Sequence, residues 1–126
     1  MNGLTLAYIG DAYYELRIRD YVIEKGFRQA NLLHNTAVKY TSGASQSMII
    51  EKMISDSIIN EDEIKIYKRG RNNSSSGRKN LDAKTYNQAT GFEALIGYMY
   101  LNDMNRCNTL IDIAISIINN KEEGNG

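Results

Sequence analysis

Proline and tryptophan are absent from the 126 residues, and cysteine and histidine occur once each. Without proline, nothing in the chain removes a backbone donor from a helix interior. The lone Cys107 cannot close an internal disulfide, and with a single histidine there is no convincing zinc set. Both absences fit a reducing compartment. No apolar run approaches the roughly 20 residues of a membrane span, and no charged-then-apolar leader opens the chain, so the expected location is the cytoplasm, with neither export nor a membrane partner. Excess charge is missing too, since 15 Lys and Arg offset 15 Asp and Glu. What is present is helical periodicity almost everywhere and a hydrophobic fraction of 42%. The expected fold is therefore all-α, a single domain around one modest core.

Two segments each set one acid in an otherwise uncharged apolar helix. In the first, Asp11 is the only side-chain charge between Met1 and Tyr14. Ile9, Ala12, Tyr13 and Leu16 fall at helical spacing and predict a core-facing stripe beside it. In the second, Ala89 to Leu101, the stripe is Phe92, Leu95, Ile96 and Met99, and Glu93 is the lone charge. Small residues surround both acids: Ala7 and Gly10 near Asp11, Ala89, Thr90 and Gly97 near Glu93. A carboxylate near a core is costly unless something positive meets it. Two such helices packed together would let Asp11 and Glu93 share a divalent cation, and hard oxygen ligands suit Mg²⁺, with Mn²⁺ as a substitute. Asp11, Glu15 and Arg19 also lie at successive i, i+4 spacings, so a solvated ion-pair stripe is an open alternative for Asp11 and Glu15. Glu93 has no basic residue within a helical turn.

The zero net charge conceals a basic stretch. From Lys65 to Lys84 seven basic residues, Lys65, Lys68, Arg69, Arg71, Arg78, Lys79 and Lys84, stand against the single acid Asp82. Within it Gly70 to Asn80 reads as a polar loop with glycine at each shoulder, too rich in breakers to continue a helix. Such a loop can bring Arg, Lys, Asn and Ser donors to phosphates and sugar hydroxyls, as a reader of duplex RNA backbone requires. A merely solvated loop has the same composition.

Elsewhere the chain is punctuated simply. Met1 runs straight into the first helix, expected over about Leu4 to Lys25 and stopped by Gly26, an abrupt start that leaves room for a preceding turn or helix. Asn31 is placed as the cap of a second helix reaching about Thr41; its His34 is a packing or surface group and receives no role. Ser42 or Ser45 opens a third, with Ala44, Met48, Met53 and Ile54 for the core. Residues 55–60 form a turn, after which Glu61, Asp62 and Glu63 load the next helix start with the charge its dipole favours. Asp82 to Tyr86 leads into the second acidic helix, and Asn102-Asp103 ends it and can cap the last. There Leu110, Ile113, Ala114 and Ile117 share a face, with Cys107 near it. Residues 121–126 are expected to fray, leaving 1–120 as the domain with 71–81 as its basic loop. Tyr13, Tyr14, Tyr98 and Tyr100 are read as packing or interface residues.

Leu6-Ala7-Tyr8-Ile9-Gly10-Asp11-Ala12 followed by Glu15 resembles the signature helix of the ribonuclease III catalytic domain, and Phe92-Glu93-Ala94-Leu95-Ile96-Gly97 resembles that domain's second acidic helix. Lys68-Arg69-Gly70-Arg71-Asn72 and Lys79-Asn80 fit as well, and the likeness, which covers nearly the whole chain, is to the short bacterial branch without a double-stranded-RNA-binding domain. The resemblance implies a homodimer of all-α domains with about six to seven helices each. It implies a double-stranded-RNA endonuclease leaving 5′-phosphate and 3′-hydroxyl ends, with Asp11 and Glu93 as catalytic metal ligands. Lys68, Arg69, Arg71, Asn72, Arg78, Lys79 and Asn80 become the RNA-binding set, with Glu15 and Arg19 structural beside the site. The substrate it implies is precursor 23S ribosomal RNA, trimmed at its paired ends, with a ribosomal protein of the large subunit as a further partner. Two departures stand out. Ala7 and Thr90 occupy positions where the larger family carries acids, which reduces the site to two carboxylates. The rivals are a non-catalytic helical RNA-binding or ribosome-assembly module, and a hydrolase of small phosphate esters.

Overall fold

Six α-helices make up the described residues, 1–73 and 82–125 of a computed structural model, with no strand among them. They are α1 Gly3–Glu24, α2 Ala30–Thr41, α3 Gly43–Ser55, α4 Glu61–Asn73, α5 Ala83–Asn102 and α6 Met104–Asn125. The all-α expectation holds, and no described helix is long and apolar enough to cross a membrane.

Local chemistry sets most of the boundaries. Asn2 caps α1 by accepting from the Thr5 N–H at 2.8 Å, and Gly26, at φ +101°, turns the chain away in the left-handed region as expected of a helix stop. Ser42 opens α3 by accepting from the Ser45 N–H at 3.1 Å. Asp82 does the same for α5 through the Thr85 N–H at 2.8 Å, and Asp103 for α6 through the Arg106 N–H at 3.1 Å. Asn31 is not a cap: the Leu33 N–H already bonds the Gln29 carbonyl at 2.9 Å, so α2 is under way before Asn31. Helix α6 runs on through Lys121 to Asn125.

α5 is the axis of the molecule, packing against α1, α3, α4 and α6. Phe92, Leu95, Ile96 and Met99 are buried as their spacing predicts, and Ala89, Thr90, Gly91, Ala94 and Gly97 are buried as well. A helix covered on nearly every side must be apolar all round. Three predicted faces shift. On α1 the buried set is Leu6, Ala7, Gly10, Tyr14, Ile18 and Val22, while Ala12 and Leu16 are exposed and Ile9 and Tyr13 half-buried. Apolar residues lie on both sides of this helix, so periodicity selects neither; close contact with α5 does. On α3 the core face is Ile49, Ile50 and Met53, with Ala44 exposed. On α6 it is Cys107, Leu110, Ile111, Ala114 and Ile118, with Ile113 and Ile117 flanking.

The α1–α5 contact is made by backbone. A methyl group at Gly10 would fall on the Glu93 carbonyl, with the Gly97 nitrogen at 2.7 Å; one at Gly97 would fall on the Leu6 carbonyl, with the Gly10 nitrogen at 3.0 Å. Each glycine is thus the socket for the other helix. Gly70 works similarly: it abuts Ala94 and Gly91, and α4 continues through it to Asn73 rather than breaking at it. The loop expected from Gly70 therefore has its first residues in helix, and residues 74–81 lie outside the described ones.

Two polar networks tie the periphery to this core. Asn60 and Glu63 form a reciprocal capping box at the start of α4, each side chain accepting from the other's backbone N–H at 2.9 Å. Glu63 is buried rather than a solvated dipole charge, and Arg106 of α6 donates to both its oxygens at 2.8 and 2.9 Å. Burial alone would raise the Glu63 pKa, but the Arg106 and Asn60 hydrogen bonds and the Arg106 charge hold it below the usual value. The Tyr14 hydroxyl donates to the Tyr40 carbonyl at 2.8 Å, and the Tyr14 ring meets Phe92 edge-on at 5.1 Å. Tyr13 packs on Tyr100 at 4.8 Å and donates to Asn108 at 2.6 Å. Cys107 is fully buried, its thiol 3.5 Å from the Ile96 carbonyl, and burial pushes its pKa up to about 11.

Gly97→Ala is expected to cost at least about 3 kcal/mol in urea denaturation, because the obstructing atoms are backbone and cannot rotate away. Gly124→Ala, where an added methyl group meets nothing within 4 Å, is the neutral comparison.

Candidate active site

Gly10 precedes Asp11, and the carbonyl that Gly10 abuts belongs to Glu93, so the crossing that locks α1 to α5 brings the two acids to one place. Asp11 is near enough for its charge to act on Glu93. Asp11 is exposed and Glu93 half-buried. Burial, then the charge of Asp11 and the hydrogen bond between the two, push the Glu93 pKa up to about 8; the Gln46 amide opposes this, and the Glu15 charge adds to it. Glu93 thus keeps its proton near neutral pH.

Gln46 of α3 is the third polar group here, 3% exposed. Its Nε2 donates to the Thr41 carbonyl at 3.1 Å and to Glu93 Oε2 at 3.4 Å. Its Oε1 is buried with no hydrogen-bond partner among the described residues. Among those residues no group of three or more His, Cys, Asp or Glu side chains gathers to hold a metal. Two carboxylates and an amide are hard oxygen donors. They fit a cation that keeps most of its water, such as Mg²⁺, and do not fit a closed zinc site.

Glu15 pairs with Arg19 at 3.3 Å, as their spacing predicts, on the side of α1 where a cleft of about 420 Å³ opens toward α2. His34 is exposed and lines that cleft.

The basic set divides. Lys68 and Arg69 are exposed on the last turns of α4, and Arg69 donates to the Met1 carbonyl. Arg71 lies over the Tyr67 ring at 5.6 Å and donates to the exposed Asn72 at 3.1 Å. Both line a groove with Lys84, Asn87 and Gln88 of α5. Gln88 is five residues before Glu93, about 7.5 Å of helix rise from it. The groove and the acids therefore share one helix. Arg78, Lys79 and Asn80 lie outside the described residues.

Sequence reasoning missed Gln46 and the Glu63–Arg106 pair. Arg106 follows Glu63 by 43 residues, and no local spacing signals that contact. Gln46 occupies a position in register with Ile49, Ile50 and Met53, so a polar residue at a core position was the available signal.

A family model described as the ribonuclease III domain matches residues 4–104. Proteins called Mini-ribonuclease 3 are among its relatives. The one from Acholeplasma laidlawii is 49% identical over 94% of each chain, and that from Enterococcus faecalis is 42% identical over 98% of this chain and 95% of its own. Protein FN1578 from Fusobacterium nucleatum, solved by X-ray crystallography, superposes with a TM-score of 0.80 at 33% identity, covering 92% of this chain and 93% of that one.

The raised pKa of Glu93 has a definite sign for stability. The folded state takes up a proton that the unfolded state releases in the ordinary carboxylate range, so stability falls as pH rises from that range to about 8. In EDTA, melts between pH 5 and 9 should show this decline in the wild type and lose it in Glu93→Gln, which should be the more stable protein at pH 8.

Proposed function

Because the chain belongs to the ribonuclease III family, we propose that this endoribonuclease cuts double-stranded RNA with the help of a divalent cation held by Asp11 and Glu93. Mg²⁺ is the proposed ion, with Mn²⁺ able to replace it. The observation that carries the reading is the α1–α5 crossing, where Gly10 abuts the Glu93 carbonyl and so sets Asp11 beside Glu93.

When bound, the cation lowers the cost of ionising water and of building negative charge on the phosphate. Glu93 would give up its proton to receive it, and the α1–α5 crossing holds the two acids at constant spacing. Water then adds to phosphorus and the bond to O3′ breaks, the proton passing to O3′. A 5′-phosphate and a 3′-hydroxyl result. Lys68, Arg69, Arg71, Asn72, Arg78, Lys79 and Asn80 are proposed to grip phosphates and sugar hydroxyls along the duplex, with Glu15 and Arg19 keeping the flank of α1 in order.

A homodimer with one site per subunit completes the proposal. Its support is the exposed apolar side chains of α1, Leu4, Tyr8 and Leu16, at 45%, 83% and 54% exposed. The proposed natural substrate, following the likeness in the sequence, is the paired ends of precursor 23S ribosomal RNA, with a large-subunit ribosomal protein accompanying it, in the cytoplasm.

Asp11→Asn or Glu93→Gln should lower the rate of duplex cleavage at least about a hundredfold, while gel-shift binding is retained and the melting temperature is not lowered. Cleavage by both variants at the wild-type rate would refute the assignment, and duplex binding without any Mg²⁺-dependent cutting by the wild type would leave a binding module. Neutralising Arg71, Arg78 and Lys79 should weaken RNA binding and flatten its salt dependence by about one unit of slope for each phosphate left unneutralised. An unchanged slope would remove these residues from the interface.

A further inference from the structure

Gln46 sits where packing alone calls for an apolar residue. It stands three, four and seven residues before Ile49, Ile50 and Met53, each 0% exposed, and is itself 3% exposed. A buried amide is favoured over leucine or methionine only when its hydrogen bonds are made. Here half of them are. The NH₂ group faces the Thr41 carbonyl at 3.1 Å and Glu93 Oε2 at 3.4 Å, whereas Oε1 has no partner among the described residues and no access to bulk solvent. The two acceptors around Nε2 settle which end of the amide is which.

A residue whose task was to tie α3 to α5 would need only the donating end. The idle acceptor, on the amide whose nitrogen meets Glu93, is accounted for by a ligand that brings donors or positive charge. A site with only two acids leaves a hydrated cation few protein partners, and a neutral oxygen adds one without adding to the crowding of negative charge. We infer that Gln46 is a positioning residue of the active site, its amide nitrogen orienting the Glu93 carboxylate and its Oε1 adding a neutral acceptor for the hydrated cation. This rests on the cation reading of Asp11 and Glu93 given above.

The test is Mn²⁺ binding by electron paramagnetic resonance without RNA, beside melts in EDTA and steady-state cleavage of a duplex. Gln46→Met, close in volume and wholly apolar, should melt in EDTA at or above the wild-type temperature, since it removes an unpartnered acceptor. It should bind Mn²⁺ about tenfold more weakly and lose kcat with KM for RNA unchanged. Gln46→Glu keeps an acceptor, so it should bind Mn²⁺ at least as tightly as the wild type and gain more melting temperature on adding the ion. Wild-type Mn²⁺ affinity and kcat in Gln46→Met would overturn the role of Gln46 and leave the nuclease reading standing. Wild-type protein that binds no Mn²⁺ would overturn both. If Gln46→Met fails to fold, Gln46→Glu decides: weaker Mn²⁺ binding than wild type overturns the role, as does failure of both variants to fold.

Discussion

Where α1 and α5 come closest, at Gly10 and Gly97, backbone meets backbone with no side chain between them. Gly10 and Gly97 each fill the place where the other helix's backbone passes, with the Glu93 and Leu6 carbonyls as the opposing surfaces. Most helix pairs stand apart by the thickness of interdigitated side chains, and small shifts can be absorbed by rotamer changes. Backbone against backbone has no such slack. The spacing of Asp11 and Glu93 is set by this crossing, because one acid follows a glycine of the contact and the other owns the carbonyl that closes it. A site meant to receive a cation needs its ligands held at one separation, and rigid elements provide that better than loops.

Two acids in this molecule meet low-polarity surroundings in opposite ways. Glu63 is enclosed by its capping partner Asn60 and by Arg106, so its charge is fully answered and its pKa falls. Glu93 is answered by an amide on one side and another acid on the other, so its pKa climbs. Burial opposes ionisation in both; the difference lies in the partners. Glu63 serves the fold, fastening α4 to α6. Glu93 retains an unmet demand for positive charge, and unmet electrostatic demand in an otherwise satisfied structure is a mark of function.

The sequence made the elements legible and the faces less so. The stop at Gly26, the opening of α3 at one of two serines, the cap at Asp103, and the buried stripe from Phe92 to Met99 follow from local rules that depend on a few neighbouring residues. The face of α1 did not, because both sides of that helix are apolar and the choice is made by glycines in two helices at once. Gly70 resembles a breaker for the same reason: its closeness to Ala94 and Gly91 is tertiary, and a buried glycine inside a helix looks from sequence like a turn. The acid pair was legible as a pattern of isolated charge among small residues. Gln46 was not, since a single amide in a helix carries no spacing that points to a partner on α5.

Cys107 is the chain's one thiol, and it is enclosed in α6 against α5 with its proton held to about pH 11. It is therefore almost devoid of the thiolate form that oxidants and alkylating reagents attack. Air oxidation cannot cross-link the protein while it is folded. A cysteine introduced at a chosen surface position would take a fluorophore or spin label alone, so distances between helices can be read without first deleting the native sulfur from the core.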